Sequence, residues 1–356
     1  MKLNKIKIKN ISNSEPLIIA GPCSAESREQ LLASATELKA QGIKILRAGI
    51  WKPRTKPGGF EGVGAIGLEW MREAAQLTSM QSAIEVATPE HVEEALSAGI
   101  DILWIGARTT TNPFAVQQLS DSLRGTSLPI FVKNPVNPDI ELWCGALERL
   151  YNAGVKNIGA IHRGFSTYNQ EQYRNLPLWH IPIELRRRYP ELTILTDPSH
   201  IGGRRTLIAP ISQQALDLNF DGLVIESHCN PDCALSDSAQ QITPTELSHI
   251  ISELVVRNSS GSLAPNISTL REKIDSIDED ILRLLHSRME ISKEIGIYKR
   301  ENNLPVLQST RYSEILGQRI SKAASLSLSE EFIREIMQSI HKESIAEQIK
   351  LMKPKP

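Results

Sequence analysis

The stretches LIIAGPCS (17–24) and KILRAGI (44–50) set the reading of the fold. Each is a short, continuous apolar run that ends in glycine, proline or polar residues and leads into a helical pattern. The same unit returns at AIEVAT (83–88), ILWIGA (102–107), PIFVKN (129–134), NIGAIHRG (157–164), TILTDPSH (193–200) and GLVIESH (222–228). Continuous rather than alternating apolar runs indicate strands covered on both faces, as in a parallel sheet packed by helices. Eight such units within about 250 residues are the number expected of a (β/α)8 TIM barrel, an α/β fold. A doubly wound sheet is the competing arrangement, but no dinucleotide glycine fingerprint follows any of the strands. Ahead of the first unit, KLNKIKIKNI (2–11) is expected as a short β extension, a hairpin or cap on the barrel floor.

The rest of the chain has a different character. Eighteen of the 21 glycines lie at or before Gly222, and all five tryptophans precede residue 180. The polar string RNSSGSLAPN (257–266) reads as a linker, giving a barrel over 1–256 and a separate domain over 267–356. In that second domain Ile267, Leu270, Ile274, Ile277, Ile281, Leu284 and Leu285 recur at helical steps, and Asn302, Asn303 and Pro305 end the pattern. Two further helices are expected over roughly 309–324 and 328–350, which makes a small all-α three-helix domain. A first helix of about 35 residues cannot bury its apolar stripe alone, so a homodimer is expected.

Composition narrows the function classes. The 356 residues carry 40 Lys+Arg against 41 Asp+Glu, a net charge of −1, so no basic field points to nucleic acid or anionic lipid. Mean hydropathy is −0.22, and no apolar run reaches 18 residues, so no membrane span is expected. The first residues lack the apolar core of a secretory signal, and four cysteines are too few for a disulfide scaffold; both fit a cytoplasmic protein.

Chemistry in such a barrel belongs at the C-terminal ends of the strands. Those ends carry Cys23, Arg47, Lys52, Arg54, Arg108, Lys133, His162, Arg163, Asp197, His200, Glu226 and His228. One of these alone would be an ordinary solvated loop charge; so many at corresponding positions call for a ligand. Arg47, Lys52, Arg54, Arg108, Lys133 and Arg163 suit a substrate bearing several phosphates or carboxylates. Cys23, His200, Glu226 and Asp237 mix one soft donor with three harder ones, a set suited to Mn, Fe, Co or Zn. Cys229 and Cys233 lack a second pair and are read as incidental.

The motifs GPCS (21–24), RAGIWKPRTKPGGF (47–60), IGARTT (105–110), FVKNP (131–135), HRGF (162–165), DPSH (197–200) and ESHCNPDCALSD (226–237) resemble those of the 3-deoxy-D-arabino-heptulosonate 7-phosphate (DAHP) synthases, in their short, compact form. The resemblance implies condensation of phosphoenolpyruvate with erythrose 4-phosphate. It implies a divalent metal on Cys23, His200, Glu226 and Asp237. It also implies a phosphoenolpyruvate site of Arg47, Lys52, Arg108, Lys133 and Arg163, and an erythrose 4-phosphate site that includes Arg54 and Thr55. His162 or His228 is the expected proton carrier near the metal. The alternative is the related synthase that forms 3-deoxy-D-manno-octulosonate 8-phosphate, which lacks the KPRT of the second unit.

In the helical part, LREKIDSIDEDILRLLHSRMEISKEIGIYKRENNLPVLQSTR (270–311) and KESIAEQ (342–348) resemble the all-helical chorismate mutases. Arg271, Arg288 and Lys299, spaced by 17 and 11 residues, are expected on one face of the long helix. The resemblance implies carboxylate binding by Arg271 (in the partner subunit's site), Arg288 and Arg311. Lys299 and Gln348 would hold the ether oxygen, and Ser344 would make a further substrate contact. Gln308 and Tyr312 stand where that family often carries acids. The tail is therefore expected to act as an isomerase needing no cofactor, as a feedback sensor of chorismate or prephenate, or as both.

Overall fold

The computed structural model describes residues 3–9, 11, 15–52, 58–167, 172–257, 265–307 and 309–352. The chain divides into two compact units, Met1–Ser259 and Ser260–Pro356. In the first, eight strands form a closed barrel: β1 (Leu17–Gly21), β2 (Ile45–Arg47), β3 (Gln81–Val86), β4 (Ile102–Ile105), β5 (Ile130–Lys133), β6 (Ile158–His162), β7 (Thr193–Thr196) and β8 (Gly222–Glu226). All neighbours are parallel, and β8 closes on β1 with Leu17 opposite Gly222 and Gly21 opposite Glu226.

The helices between them are α1 (Arg28–Ala40), α2 (Ile66–Thr78), α3 (Pro89–Ser97), α4 (Ala107–Thr110), α5 (Pro113–Ser122), α6 (Ile140–Asn152), α7 (His180–Arg188), α8 (Pro198–Gly202), α9 (Ile208–Asp217) and α10 (Pro244–Glu253). Side-chain caps start several of them where the sequence places Ser, Thr, Asn or Asp, as at Ser27, Thr88, Asn112, Asp139, Asp197 and Thr243.

Two apolar layers hold the barrel. The larger lies between strands and helices, with Leu46, Ile84, Leu103, Val132, Ile158 and Ile225 among its members. The inner one fills the barrel: Ile19, Ile45, Ala83, Ile102, Trp104, Phe131, Ile161, Leu195 and Val224.

The N-terminal segment joins that inner layer through Ile6 and Ile8, each worth roughly 1.5–3 kcal/mol when fully buried. It forms the expected floor, but residues 3–9 are not a strand. Their backbone pairs instead with side chains at the starts of β6 and β7: the Ile6 amide donates to Thr193 Oγ1 (2.8 Å), the Lys7 amide to Asn157 Oδ1 (2.9 Å), and Asn157 Nδ2 to the Lys7 carbonyl (2.8 Å). Lys5 pairs with Asp221.

The second unit holds α11 (Pro265–Glu301), α12 (Ser309–Ala324) and α13 (Glu330–Met352). Its described buried residues are mostly polar or small: Ser292, Gly296, Lys299, Ala323, Ser344 and Gln348. Its apolar stripe stays open instead, with Ile274, Ile277, Ile281 and Leu284 between 48% and 70% exposed.

Candidate active sites

Strand ends bring the barrel's charges together. Gly21 ends β1 where a Cβ would lie 2.0 Å from the Arg47 carbonyl oxygen, so only glycine lets β2 approach there. Arg47, 1% exposed, donates to Glu226 Oε1 (3.1 Å) and to the Cys23 carbonyl (3.2 Å), and lies over the Trp104 ring at 5.2 Å. Lys133 Nζ, at the end of β5, is 3.0 Å from Asp197 Oδ2 and 5.7 Å from the same ring. Lys52 Nζ lies 3.1 Å from Cys23 Sγ. Arg163 donates to Asn175 Oδ1 (2.8 Å) and takes Asn134 Oδ1 on its backbone amide (2.7 Å). Arg108 is exposed on α4, and its charge reaches Arg163.

Against these cations sit the donors. Cys23 Sγ and carboxylate oxygens of Glu226 and Asp237 all lie within 4.8 Å of one another, an arrangement able to hold a metal ion. His200 stands outside that set of three, but its Nε2 is 3.8 Å from Glu226 Oε1 and its Nδ1 2.7 Å from Asp197 Oδ2. Asp197 caps α8 by accepting from the His200 amide (3.0 Å), which places the imidazole beside the cluster. The Asp197 carboxylate behind the ring fixes its orientation.

Electrostatics follow from burial and pairing. Burial raises the Cys23 thiol to about 11; Glu226 and Asp237 push the same way, against Lys52 and Arg47. Burial would also raise the carboxyls, but the cations outweigh it. His200, Lys133 and Arg47 hold Asp197 well below the usual range. His200, Arg47 and Lys52 lower Glu226, while Arg174, His200 and Lys52 bring Asp237 to about 2. Burial lowers Arg163 to about 10, with Arg174 and Arg108 adding to the effect. Neutral thiol and ionised carboxylates fit a cation, whose charge would stabilise the thiolate.

In the barrel two expectations need correction and two lie out of reach. His162 is buried on the helix side of β6, with ring contacts to Trp143 (6.5 Å), Phe165 (5.8 Å) and Trp179 (5.0 Å), and burial lowers its pKa to about 3. Adjacent residues along a strand face opposite ways, so Arg163 rather than His162 lies on the side of the strand-end charges. The N-terminal β extension, as described above, is a coil. Arg54 and Thr55 lie outside the described residues. His228 is fixed by the Asn230 amide (2.8 Å) and lies 3.7 Å from Glu26.

Sequence reading also missed partners. Arg174 reaches both Asp237 Oδ1 (3.0 Å) and Gln240 Oε1 (2.6 Å), and Gln240 Nε2 donates to Glu226 Oε2 (2.6 Å). Nothing in their local spacing marks them; Asn134, by contrast, sits inside the FVKNP motif.

The helical unit carries a second polar site. Gly296 lets α13 approach α11, since a Cβ there would be 3.1 Å from Gln348 Cγ. Lys299 Nζ then donates to Gln348 Oε1 (3.1 Å) and to the Val306 carbonyl (2.7 Å), Gln348 Nε2 donates to Ser292 Oγ (3.0 Å), and Arg288 Nη1 donates to Ser344 Oγ (2.5 Å). Four of the six expected residues thus converge. Arg271 does not share their face: 17 residues turn a helix by about 4.7 turns and rise about 25 Å, whereas 11 residues make about three turns. It is exposed at the far end of α11. The Arg311 side chain and Gln308 lie outside what the structure describes.

These features define a parallel-barrel enzyme with a cation-lined, metal-competent active face, followed by a helical domain with its own polar cluster bearing two cations. The chain belongs to the DAHP synthetase I family, whose profile matches residues 2–258, and it carries a chorismate mutase type II domain over 270–349. A phospho-2-dehydro-3-deoxyheptonate aldolase of Thermotoga maritima is 35% identical over 244 residues, which cover 68% of this chain and 70% of that protein. A crystal structure of phospho-2-dehydro-3-deoxyheptonate aldolase (DAHP synthase) from the same organism superposes with a TM-score of 0.64 at 32% identity, covering 71% of this chain and 72% of the other. A 2-dehydro-3-deoxyphosphooctonate aldolase of Brucella anthropi is 25% identical, covering 71% of this chain and 95% of the relative. The heptulosonate reading is therefore favoured over the octulosonate one.

The protein condenses phosphoenolpyruvate with erythrose 4-phosphate to DAHP and phosphate, and its helical domain rearranges chorismate to prephenate. Among the described residues no helix is long and apolar enough to cross a membrane.

Proposed function

We propose that Cys23, His200, Glu226 and Asp237 hold a divalent metal (Mn, Fe, Co or Zn) and that the surrounding cations hold the two anionic substrates of the barrel. The observation that carries this reading is the meeting of three donors within 4.8 Å, ringed by buried Arg47, Lys133 and Arg163. When bound, the metal supplies Lewis-acid polarisation of an aldehyde oxygen.

The chain's own residues do the rest. Arg47, Arg108, Lys133 and Arg163 grip the phosphate and carboxylate of phosphoenolpyruvate, with Arg54 and Thr55 reserved for erythrose 4-phosphate. Fixed cations offset the repulsion between the substrates and set the methylene carbon against the aldehyde, so catalysis is positioning plus electrostatics. Lys52, beside Cys23, is the group able to deliver a proton at the ligand cluster. A chelator should stop phosphoenolpyruvate consumption, and returned metal should restore it. Unchanged consumption in rigorously metal-free protein would overturn the assignment.

In the tail, Arg288, Lys299, Ser344 and Gln348 cradle chorismate, with Arg311 from the same chain and Arg271 from a partner subunit. The rearrangement is unimolecular, so holding the folded conformer and stabilising charge on the ether oxygen at Lys299 and Gln348 suffices. The open stripe of Ile274, Ile277, Ile281 and Leu284 supports a homodimer that buries it and brings Arg271 into the second site. Chorismate disappearance in wild type and its loss in Arg288→Ala test the site.

Joining the two enzymes in one chain supports feedback. Prephenate or chorismate should slow DAHP formation by the intact protein but not by a chain ending at Asn258; equal inhibition of both would sink that reading. The free thiols of Cys23, Cys144, Cys229 and Cys233 support a cytoplasmic setting.

A further inference from the structure

We propose that His341 contacts the substrate in the mutase site, its imidazole hydrogen-bonding the ring hydroxyl of chorismate while Tyr312 holds the imidazole in place. This deepens the mutase assignment and rests on it.

Position comes first. His341, Ser344 and Gln348 follow one another at steps of three and four on α13, and so line one face. The second and third of these already bond Arg288 and Lys299 of α11. The His341 ring lies against Tyr312 of α12, with centroids 4.0 Å apart and planes 23° from parallel. That contact fixes the imidazole on the face that carries the cluster.

An unmet need comes second. His341 Nε2 is buried with no hydrogen-bond partner among the described residues. Leaving such a group unsatisfied is unfavourable, and a binding site recovers that cost when its ligand supplies the partner.

Charge decides which part of the ligand that is. The groups facing the imidazole are Arg288 and Lys299 from α11 and Tyr312 from α12. Burial, Arg288 and Lys299 lower its pKa below the ordinary 6.5, so it is neutral near pH 7. Chorismate offers two carboxylates and an ether oxygen, which match the cations, and one hydroxyl, which is neutral. A neutral imidazole nitrogen complements the hydroxyl without adding a third positive charge.

The test uses the full-length protein with chorismate and with its analogue bearing hydrogen in place of the ring hydroxyl. Loss of one neutral hydrogen bond should lower kcat/KM about five- to tenfold in His341→Ala with chorismate. The same substitution should change kcat/KM for the deoxy analogue by less than twofold. His341→Gln, which keeps a hydrogen-bonding group at that place, should keep most activity. An equal loss on both substrates, or a loss in His341→Gln as deep as in His341→Ala, would overturn the role of His341 while leaving the mutase standing. Absence of turnover in the intact wild-type chain would overturn both.

Discussion

Replacing Lys133 by Met removes one charge from the barrel while keeping most of the side chain's volume. Lys133 is 4% exposed and its Nζ is 3.0 Å from Asp197 Oδ2, a carboxylate with no exposure at all. Breaking a buried pair from one side leaves an uncompensated charge and costs about 3–5 kcal/mol. Here the low end applies, because Asp197 keeps His200 at 2.7 Å and the field of Arg47. With a urea slope of about 3 kcal/mol/M, a loss of about 3 kcal/mol moves the midpoint down by about 1 M. All five tryptophans precede residue 180, so their fluorescence reports the barrel and not the helical tail. Phosphoenolpyruvate binding should weaken in the same variant, whereas chorismate turnover should not change. An unaltered midpoint with an unaltered slope would refute the buried pair and the energetic reasoning built on it.

Three further outcomes follow from the same contacts. Arg174→Ala, which strips Asp237 of an outer partner that is itself 44% exposed, should weaken metal binding about tenfold in a competition titration, the low end of what such outer contacts contribute. His162→Phe should keep DAHP formation within a few-fold of wild type. It should also flatten the pH dependence of barrel stability, measured by urea midpoints at several pH values. The neutral imidazole, with its pKa lowered to about 3, lets the wild-type fold keep full stability above the unfolded value near 6.5 and lose it as pH falls from there towards 3. Ile281→Asp, in the open stripe, should yield monomers in sedimentation and abolish chorismate turnover; a dimeric variant with full activity would contradict the proposed partner contact.

Much of this protein is written in local sequence. Apolar runs buried on both faces, helices entered through Ser, Thr, Asn or Asp, and one long helix ended at Asn302 are properties of neighbours along the chain. They therefore determined the barrel, the three helices and the list of strand-end charges. Motif resemblance supplied both chemistries. Tertiary structure decided which charges meet. His162 and Arg163 are adjacent in sequence, yet the strand sends one into an aromatic layer and the other towards the active face. Residues 3–9 alternate like a strand but act as a floor, because their hydrogen-bond partners come from Asn157 and Thr193. Arg174 reaches across 63 positions to Asp237, and His341 across 29 to Tyr312. Periodicity cannot carry such pairings, since a short-range pattern fixes the direction of a side chain only relative to its own element. Which groups end up within 3 or 4 Å is set by how the elements close and pack.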